Sequence, residues 1–282
     1  MGVRSAGVLD RSSRLAPHDH VAWCGDGAAG FLRLAGQVFA TAADGERLVL
    51  VGDLDRLSAD ASELFADQVE RGRLRMVDVG EAYRPLLEGG AGSAAGQLDA
   101  FRRDLDTALA AGWSGLRVAA DNTAVLAGTD ELERRWLAWE QLTDRWQSLM
   151  PVTGVCYFDR RRVPAQRLGR VAGLHPLCGG ITGPPLRVYH DTDPAGPTVL
   201  VLDGAVEAFD EDRLRELLRT EVAQAADQPG GAAVTVDLGR VTYLHHRGLQ
   251  ALHDAGVRVT NAPGIVRRLN DLLPDADRLR LD

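Results

Sequence analysis

Short apolar stretches alternate with longer amphipathic stretches over the first two thirds of the chain. The stretch 47–51 (RLVLV) has the length and composition of a buried strand, whereas 95–111 places its apolar residues at helical spacing. Strands that alternate with helices of this length predict βαβ units, and therefore a mostly parallel sheet with helices on both faces. The predicted strands are 20–24, 47–51, 74–79, 116–120 and 152–158, and the predicted helices are 28–43, 59–71, 95–111, 129–149 and 164–173.

The pattern changes after a Gly- and Pro-rich stretch at 178–185, which predicts a domain boundary. The rest of the chain predicts a smaller domain of strands and helices. Its strands are predicted at 186–190, 198–202, 233–238, 257–261 and 279–281, and its helices at 211–225, 248–255 and 265–273. We therefore expect an α/β protein with a flexible polar tail at 1–16 and domains at 17–180 and 186–282.

Composition and charge exclude several classes of protein. With 45% hydrophobic and 26% charged residues, the 282-residue chain is expected to fold around well-formed cores. No apolar run approaches the ~18 residues of a membrane span, and the N-terminus lacks the apolar segment of a secretion signal, so a cytoplasmic location without membrane contact is expected. The net charge of −8 and the absence of long basic runs argue against nucleic acid as a partner.

Catalytic chemistry has little support in the sequence. All 32 basic residues are Arg, which excludes a Walker A lysine and a lysine Schiff base. The chain contains neither G-x-S-x-G nor H-E-x-x-H, so no catalytic residue is predicted and a non-enzymatic role is favoured. The odd number of cysteines favours free thiols over a disulfide framework; they are Cys24, Cys156 and Cys178.

Several segments of the first domain carry a family resemblance. They are PHDHVAWCGD, DGERLVLVGD, GLRVAADNT, the AWE of the long predicted helix, and GVCYFDRRRVPAQRLGRVAGLHPL. In this order they resemble the MEDS domain, a sensory domain of methanogen and methylotroph regulators. The matching positions are His20, Trp23, Gly45, Glu46, Gly115, Glu140, Cys156, Tyr157, Asp159, His175 and Pro176. The resemblance implies a RecA-like or KaiC-like fold without a working nucleotide site, and a small-molecule sensor rather than an enzyme.

The second domain contains VTVDLGRVTYLHHRGL at 234–249, which resembles the core of the STAS domain of anti-sigma factor antagonists. In that family a strand hDLSxVxhhD leads into S-[ST]-G-L at the start of a helix. His245 stands here in place of the Asp, and His246 and Arg247 stand in place of the two hydroxyl residues before Gly248. The resemblance implies a regulatory module, acting in control of transcription, that binds an anti-sigma factor or a similar partner. A serine kinase cannot modify imidazole or guanidinium, so phosphorylation at this corner is not expected.

The predicted helix after this corner is shorter than the STAS pattern requires. Because this helix and the loop before it form the usual docking surface of the family, the mode of partner binding is expected to differ. The sequence also leaves a homodimer open.

A candidate metal site lies near the start of the first domain, at His18, His20 and Cys24. Imidazole and thiolate are ligands of zinc, copper and haem iron. On a strand at 20–24, His20 and Cys24 share one face, and Cys156 on another strand is a candidate fourth donor. The alternative is that these are buried polar residues lining a pocket, with the cysteines packed as small apolar side chains.

A literal G-x-G-x-x-G follows the first predicted strand at Gly25, Gly27 and Gly30, and Asp53 ends the next strand. This layout is typical of dinucleotide sites, although chance matches are common in a chain with 31 glycines. A nucleotide is therefore a second cofactor hypothesis beside a metal or haem. Either cofactor would make the chain a cofactor-dependent sensor, or an enzyme with the second domain as an assembly domain.

Ligands of open parallel sheets bind beyond the carboxyl ends of the strands. Cys24, Asp53, Asp78, Asp121 and Tyr157 fall at such ends, which predicts a sensory pocket for a small molecule. The alternative is that strand-end aspartates such as Asp53 and Asp121 only cap the following helices. The complete set of predicted ligand-binding residues is His18, His20, Trp23, Cys24, Asp53, Asp121, Glu140, Cys156 and Tyr157.

Overall fold

The computed structural model describes residues 4–11, 15–90, 92–192, 198–226, 233–274 and 278–281. The chain divides into two compact units, Arg4–Gly183 and Pro184–Asp282. Their junction lies within the Gly- and Pro-rich stretch at which the sequence predicts a boundary.

The first unit is built on a seven-stranded sheet in which every neighbouring pair is parallel. The prediction of a parallel α/β sheet is thereby confirmed. The strands are β1 (Gly7–Leu9), β2 (His20–Gly25), β3 (Glu46–Gly52), β4 (Leu74–Asp78), β5 (Gly115–Asp121), β6 (Val152–Asp159) and β7 (Leu177–Gly179), in the order β1-β7-β2-β6-β5-β3-β4. The helices are α1 (Gly27–Ala40), α2 (Leu54–Leu64), α3 (Ala66–Glu70), α4 (Val79–Ala82), α5 (Arg84–Glu88), α6 (Ser93–Ala110), α7 (Thr123–Leu126), α8 (Asp130–Gln147) and α9 (Ala165–Ala172).

Two predictions for this unit need correction. The segment predicted as a flexible tail contains β1, whose backbone pairs with β7. This strand has only three residues and its Val8 is exposed, so the sequence shows no hydrophobic period there. The helix predicted at 59–71 is two helices, because the chain breaks at Phe65, whose buried ring packs 5.4 Å from Phe39. The first of the two also begins earlier, directly after Asp53.

The two faces of the sheet carry separate cores, because successive strand residues point to opposite sides. One core lies under α1 and includes Phe31 and Val155. The other lies under α5, α6 and α8 and includes Trp136 and Cys156. Every residue of β6 is buried, as expected for a strand at the centre of a covered parallel sheet.

The second unit has a four-stranded mixed sheet in the order β11-β10-β9-β8. Only the pair of β8 and β9 is antiparallel. Its strands are β8 (Leu186–Thr192), β9 (Thr198–Val206), β10 (Thr235–Leu244) and β11 (Arg258–Thr260); its helices are α10 (Glu211–Ala226), α11 (His246–Asp254) and α12 (Gly264–Asp271), with a 3-10 turn at Ala208–Asp210. The strand predicted at 279–281 is reduced to a single bridge between Val259 and Leu281. Among the helices in the described part of the chain, none is long and apolar enough to cross a membrane.

Candidate functional site

The first unit encloses a cluster of four side chains with metal-ligating atoms, which we call the buried cluster. Its members are His20, Glu140, Cys156 and His175. Pairing of β2 with β6 places Ala22 beside Cys156, so that His20 and Cys156 lie on the same face. Glu140 belongs to α8, and His175 lies in the turn between α9 and β7. Their ligand atoms all lie within 4.8 Å of one another, and all four residues are buried.

Both imidazoles of the buried cluster are oriented by a partner on the far side of the ring. His175 Nδ1 lies 2.9 Å from the carbonyl oxygen of Val171, and because a carbonyl only accepts, this nitrogen carries the hydrogen. His20 Nδ1 lies 3.1 Å from the Asp144 carboxylate, which also contacts the Arg4 guanidinium at 2.9 Å. Each ring therefore turns the lone pair of its Nε2 toward the centre of the cluster.

Burial dominates the proton affinities of the cluster. It raises the pKa of Glu140 and of the Cys156 thiol well above their ordinary values. It lowers the pKa of His20, and that of His175 further. All four groups therefore favour their neutral forms in the absence of a cation. Among the described residues, no hydrogen bond of ordinary geometry reaches either Glu140 carboxylate oxygen or His175 Nε2.

A small cavity adjoins the buried cluster on its apolar side. Its volume is about 20 Å³, and its walls include His20, Cys156, Tyr83, Phe101 and Trp139. This space accommodates about one water molecule, and a porphyrin does not fit. The haem hypothesis therefore finds no support at this cluster.

The side chains that surround His20 in the structure differ from the metal ligands predicted from the sequence. Cys24 shares the face of His20, as the alternation indicated, but lies four residues further along β2, or about 13 Å. His18 precedes the strand in a left-handed conformation, with φ 70°, and is not a member of the cluster. Glu140 and Cys156, predicted as ligand-binding residues, lie beside His20. The sequence analysis named His175 only as a position of family resemblance.

A second candidate site opens at the carboxyl ends of β2, β3, β5 and β6, and we call it the carboxyl-edge cleft. It has a volume of about 150 Å³. Its charged walls are Asp53, Asp121, Asp159, Arg56, Arg161 and Arg162, and its apolar and neutral walls include Gly27, Leu57 and Thr123. This is the position at which open parallel sheets bind ligands, and it contains two of the predicted residues, Asp53 and Asp121.

The charges of the cleft differ in how they are satisfied. Asp159 accepts hydrogen bonds from the backbone and side chain of Arg161, at 3.0 and 3.2 Å; burial opposes ionisation, but these bonds outweigh it and lower the pKa of Asp159. Burial raises the pKa of Asp121, which caps the N–H of Thr123 at 3.0 Å. Asp53 precedes α2 but makes no capping hydrogen bond with its side chain, whereas one Asp121 oxygen accepts from the first turn of α7.

The three glycines of the G-x-G-x-x-G segment border protein side chains. A Cβ on Gly25 would lie 2.6 Å from Tyr157 Cε2, and one on Gly30 would lie 2.9 Å from Tyr157 Oη. The same hydroxyl donates to the Gly27 carbonyl at 2.9 Å, and a Cβ on Gly27 would overlap the Arg161 guanidinium. In this structure Gly25 and Gly30 make room for Tyr157, and Gly27 has a left-handed φ of 64° that favours glycine, which accounts for the motif without a pyrophosphate.

The remaining predicted pocket residues lie apart from both sites. Trp23 is half-buried on the face of β2 opposite to Cys24 and packs against the α1 side of the sheet. Cys24 is buried, and burial raises the pKa of its thiol to about 12, so it is a poor nucleophile. All three cysteines are free thiols, in agreement with the sequence.

The second unit places the predicted switch residues at the start of α11. His245 is the N-cap residue, and its ring nitrogen accepts from the Arg247 N–H at 3.4 Å. The side chain of Arg247 lies 3.4 Å from Glu211, and the rings of His245 and His246 lie 4.2 Å apart. Gly248 follows inside the helix and is buried. The imidazole of His245 thus performs the capping task for which Asp, Asn and Ser are usual.

The first unit is an α/β domain with two candidate sites. The model of the family named MEthanogen/methylotroph, DcmR Sensory domain, or MEDS, matches residues 19–176, all of them within this unit. The chain therefore belongs to the MEDS family, and its first unit is a sensory domain. No curated protein matches the chain.

Proposed function

We propose that the chain is a non-enzymatic signalling protein in which the MEDS unit binds a small polar molecule in the carboxyl-edge cleft. Binding controls a STAS-like second unit that engages an anti-sigma factor or a similar regulatory protein. Input comes from the ligand and not from phosphorylation of the corner at His245–Arg247. The observation that carries the proposal is the charged cleft in a unit that belongs to a sensory family.

The free charges of the cleft indicate the kind of ligand. Among the described residues, the side chains of Asp53, Arg56 and Arg162 make no hydrogen bond and no ion pair within 4 Å. The two guanidiniums suit an anionic group of the ligand, and the carboxylates of Asp53 and Asp121 suit a hydroxyl or amino group. A small molecule with both kinds of group matches this lining better than an apolar hydrocarbon does.

The second unit supports a role in protein binding. Its elements alternate in the order β8, β9, α10, β10, α11, β11 and α12, which is compatible with the proposed STAS-like module. The end of the unit near α11 exposes an aromatic side chain. Phe209, in the 3-10 turn that packs against α11, is 76% exposed. An exposed aromatic residue beside the charged corner at His246 and Arg247 is typical of a residue that anchors a partner. The corner offers no hydroxyl, so a serine or threonine kinase cannot place a phosphate there.

Ligand-observed NMR of the full chain tests the cleft. The probes are glycolate, lactate, glycine, methylamine, ethanol and glycerol, which separate the anionic group from the donor group. We expect saturation transfer to at least one probe with an anion, lost in Arg162→Gln and retained in Arg134→Gln, a control on the exposed face of α8. Binding that is equal in both variants, or no transfer to any probe, would contradict a ligand site in the cleft.

Capture of interacting proteins by the full chain tests the second unit. Phe209→Ser removes the exposed ring without creating a cavity, and Ile265→Ser makes a comparable change at a 56% exposed position of α12. We expect a bound regulatory protein to be lost with Phe209→Ser and retained with Ile265→Ser. If both variants capture the same proteins as the wild type, the proposed anchor is wrong.

A further inference from the structure

We propose that the buried cluster of His20, Glu140, Cys156 and His175 binds one divalent transition-metal ion of the zinc type. The site is separate from the carboxyl-edge cleft, and the inference does not depend on the ligand proposed there.

The spacing of the four donors is close to that of a metal site, since every pair of ligand atoms lies within 4.8 Å. Tetrahedral bonds of about 2.0–2.3 Å place neighbouring ligand atoms about 3.3–3.7 Å apart. The observed separations are 3.4 Å from His20 Nε2 to Glu140 Oε2, 3.5 Å from His175 Nε2 to the same oxygen, and 3.8 Å from Cys156 Sγ to His20 Nε2. Direct hydrogen bonds among nitrogen and oxygen atoms are shorter, at about 2.7–3.2 Å.

The surroundings orient the donors as they are oriented in metal sites. Metal-bound imidazoles generally donate their other N–H to a carboxylate or carbonyl group. His20 meets the Asp144 carboxylate in this way, and His175 meets the Val171 carbonyl. Glu140 is fully buried, no hydrogen bond of ordinary geometry reaches either of its carboxylate oxygens among the described residues, and its Oε2 lies 3.4 and 3.5 Å from the Nε2 atoms of His20 and His175. An unsatisfied buried acceptor is costly, and a bound cation satisfies it.

Charge balance favours a divalent ion. Cys156 ligates a metal as a thiolate and Glu140 as a carboxylate, and any proton that either group carries leaves to solvent on binding. The two negative charges equal the charge of the ion, so the filled site is neutral in an environment that does not tolerate net charge. The charge of Asp144, outside the four donors, is already balanced by Arg4 at 2.9 Å.

The ligand set also indicates what the ion does. Four protein donors complete a tetrahedral shell, which is typical of structural zinc sites, whereas catalytic zinc keeps a position for water. The donors come from β2, β6, α8 and the turn before β7, and the ion therefore links the central strands of the sensor unit to the helix above them. We expect the ion to be acquired during folding, because the site is closed to solvent.

Measurements on the wild-type full chain test the site without any substitution. Protein produced in zinc-supplemented medium should contain one equivalent of zinc, and its X-ray absorption spectrum should fit one sulfur and three nitrogen or oxygen ligands. Protein produced with cobalt should show a thiolate-to-cobalt charge-transfer band in the near ultraviolet. Absence of stoichiometric metal from both preparations would overturn the proposal, as would a shell without sulfur.

Two variants and a matched control place the ion at this cluster. Cys156→Ser should abolish the charge-transfer band, while Cys24→Ser, which alters another buried thiol of the same unit, should leave it unchanged. Asp144→Asn keeps all four ligands but weakens the support of His20 and removes the charge that balances Arg4, so we expect metal affinity to fall about 10–100-fold with the band retained. Loss of the band in Cys24→Ser, or its survival in folded Cys156→Ser, would show that the metal lies elsewhere.

Discussion

Substitution of Gly25 by Ala distinguishes the two explanations of the G-x-G-x-x-G segment. A methyl group at Gly25 would lie 2.6 Å from Tyr157 Cε2 and 2.8 Å from Tyr157 Oη, so the buried ring must move. Overpacking of this kind costs about 1–3 kcal/mol, and loss of the Tyr157–Gly27 hydrogen bond adds about 0.5–1.5 kcal/mol. We expect the free energy of unfolding to fall by about 2–4 kcal/mol in the absence of any ligand.

Urea unfolding followed by tryptophan fluorescence measures this effect in the correct unit. All five tryptophans lie in the first unit; they are Trp23, Trp113, Trp136, Trp139 and Trp146. Gly36→Ala, in the helix α1 that follows β2, is the control, because its Cβ would lie 4.0 Å from the nearest side chain. Up to about 1 kcal/mol of stabilisation is expected there. When Tyr157 is replaced by Leu, the loss of unfolding free energy caused by Gly25→Ala should become smaller by more than about 1 kcal/mol. This is the order of the coupling energies measured between residues in direct contact. A cost within about 0.5 kcal/mol of zero, typical of a surface change, would refute the packing explanation.

Three further predictions concern other parts of the chain. Burial raises the pKa of Asp121, so the ionised carboxylate opposes folding. Asp121→Asn should therefore raise the free energy of unfolding of the first unit, measured in urea at about pH 8. This gain should fade as the pH falls through the folded pKa of Asp121 toward its unfolded pKa of about 3.9. A gain that is constant with pH would contradict this cause. Gly248→Ala places a methyl group 2.8 Å from Leu244 Cδ1 and 2.9 Å from Val206 Cγ1, so it should destabilise the second unit by about 1–2 kcal/mol. The loss should be visible in circular dichroism but not in tryptophan fluorescence, because all the tryptophans lie in the first unit. Burial raises the pKa of the Cys24 thiol to about 12, and the other two thiols are also buried. A thiol reagent at about pH 8 should therefore label no cysteine of the native chain and all three cysteines in denaturant. Rapid labelling of the native chain would show that the first unit opens.

Hydrophobic periodicity predicted the architecture because most elements are long enough to show a period. The central strands and the long helices α6 and α8 were recognised to within a few residues. The short elements β1, β7 and α4 were missed because they are held by backbone pairing and by their neighbours, whereas β4 and β11 were predicted. The strand β1 illustrates the limit, since Val8 is its only strongly apolar central residue and is exposed.

The candidate site was predictable only in part. Alternation along β2 correctly placed His20 and Cys24 on one face, but it gives no distance between residues and no indication of which helix covers them. The cluster depends on long-range pairing of β2 with β6 and on the descent of Glu140 from α8, which no local pattern encodes. His175 could have been suspected from its position among the residues that carry the family resemblance. The role of Tyr157 beneath Gly25 likewise follows only from the three-dimensional contact.

Native mass spectrometry of the full chain, before and after denaturation, tests the central claim most directly. The account predicts that the native mass exceeds the denatured mass by a bound small molecule, that this excess is lost in Asp121→Asn, and that any mass due to a metal ion is unchanged by that substitution. The excess should return when the binding probe identified by NMR is added to the wild type. If the wild type and Asp121→Asn carry the same small molecule, or if neither retains one even after the probe is added, the carboxyl-edge cleft is not the sensory site.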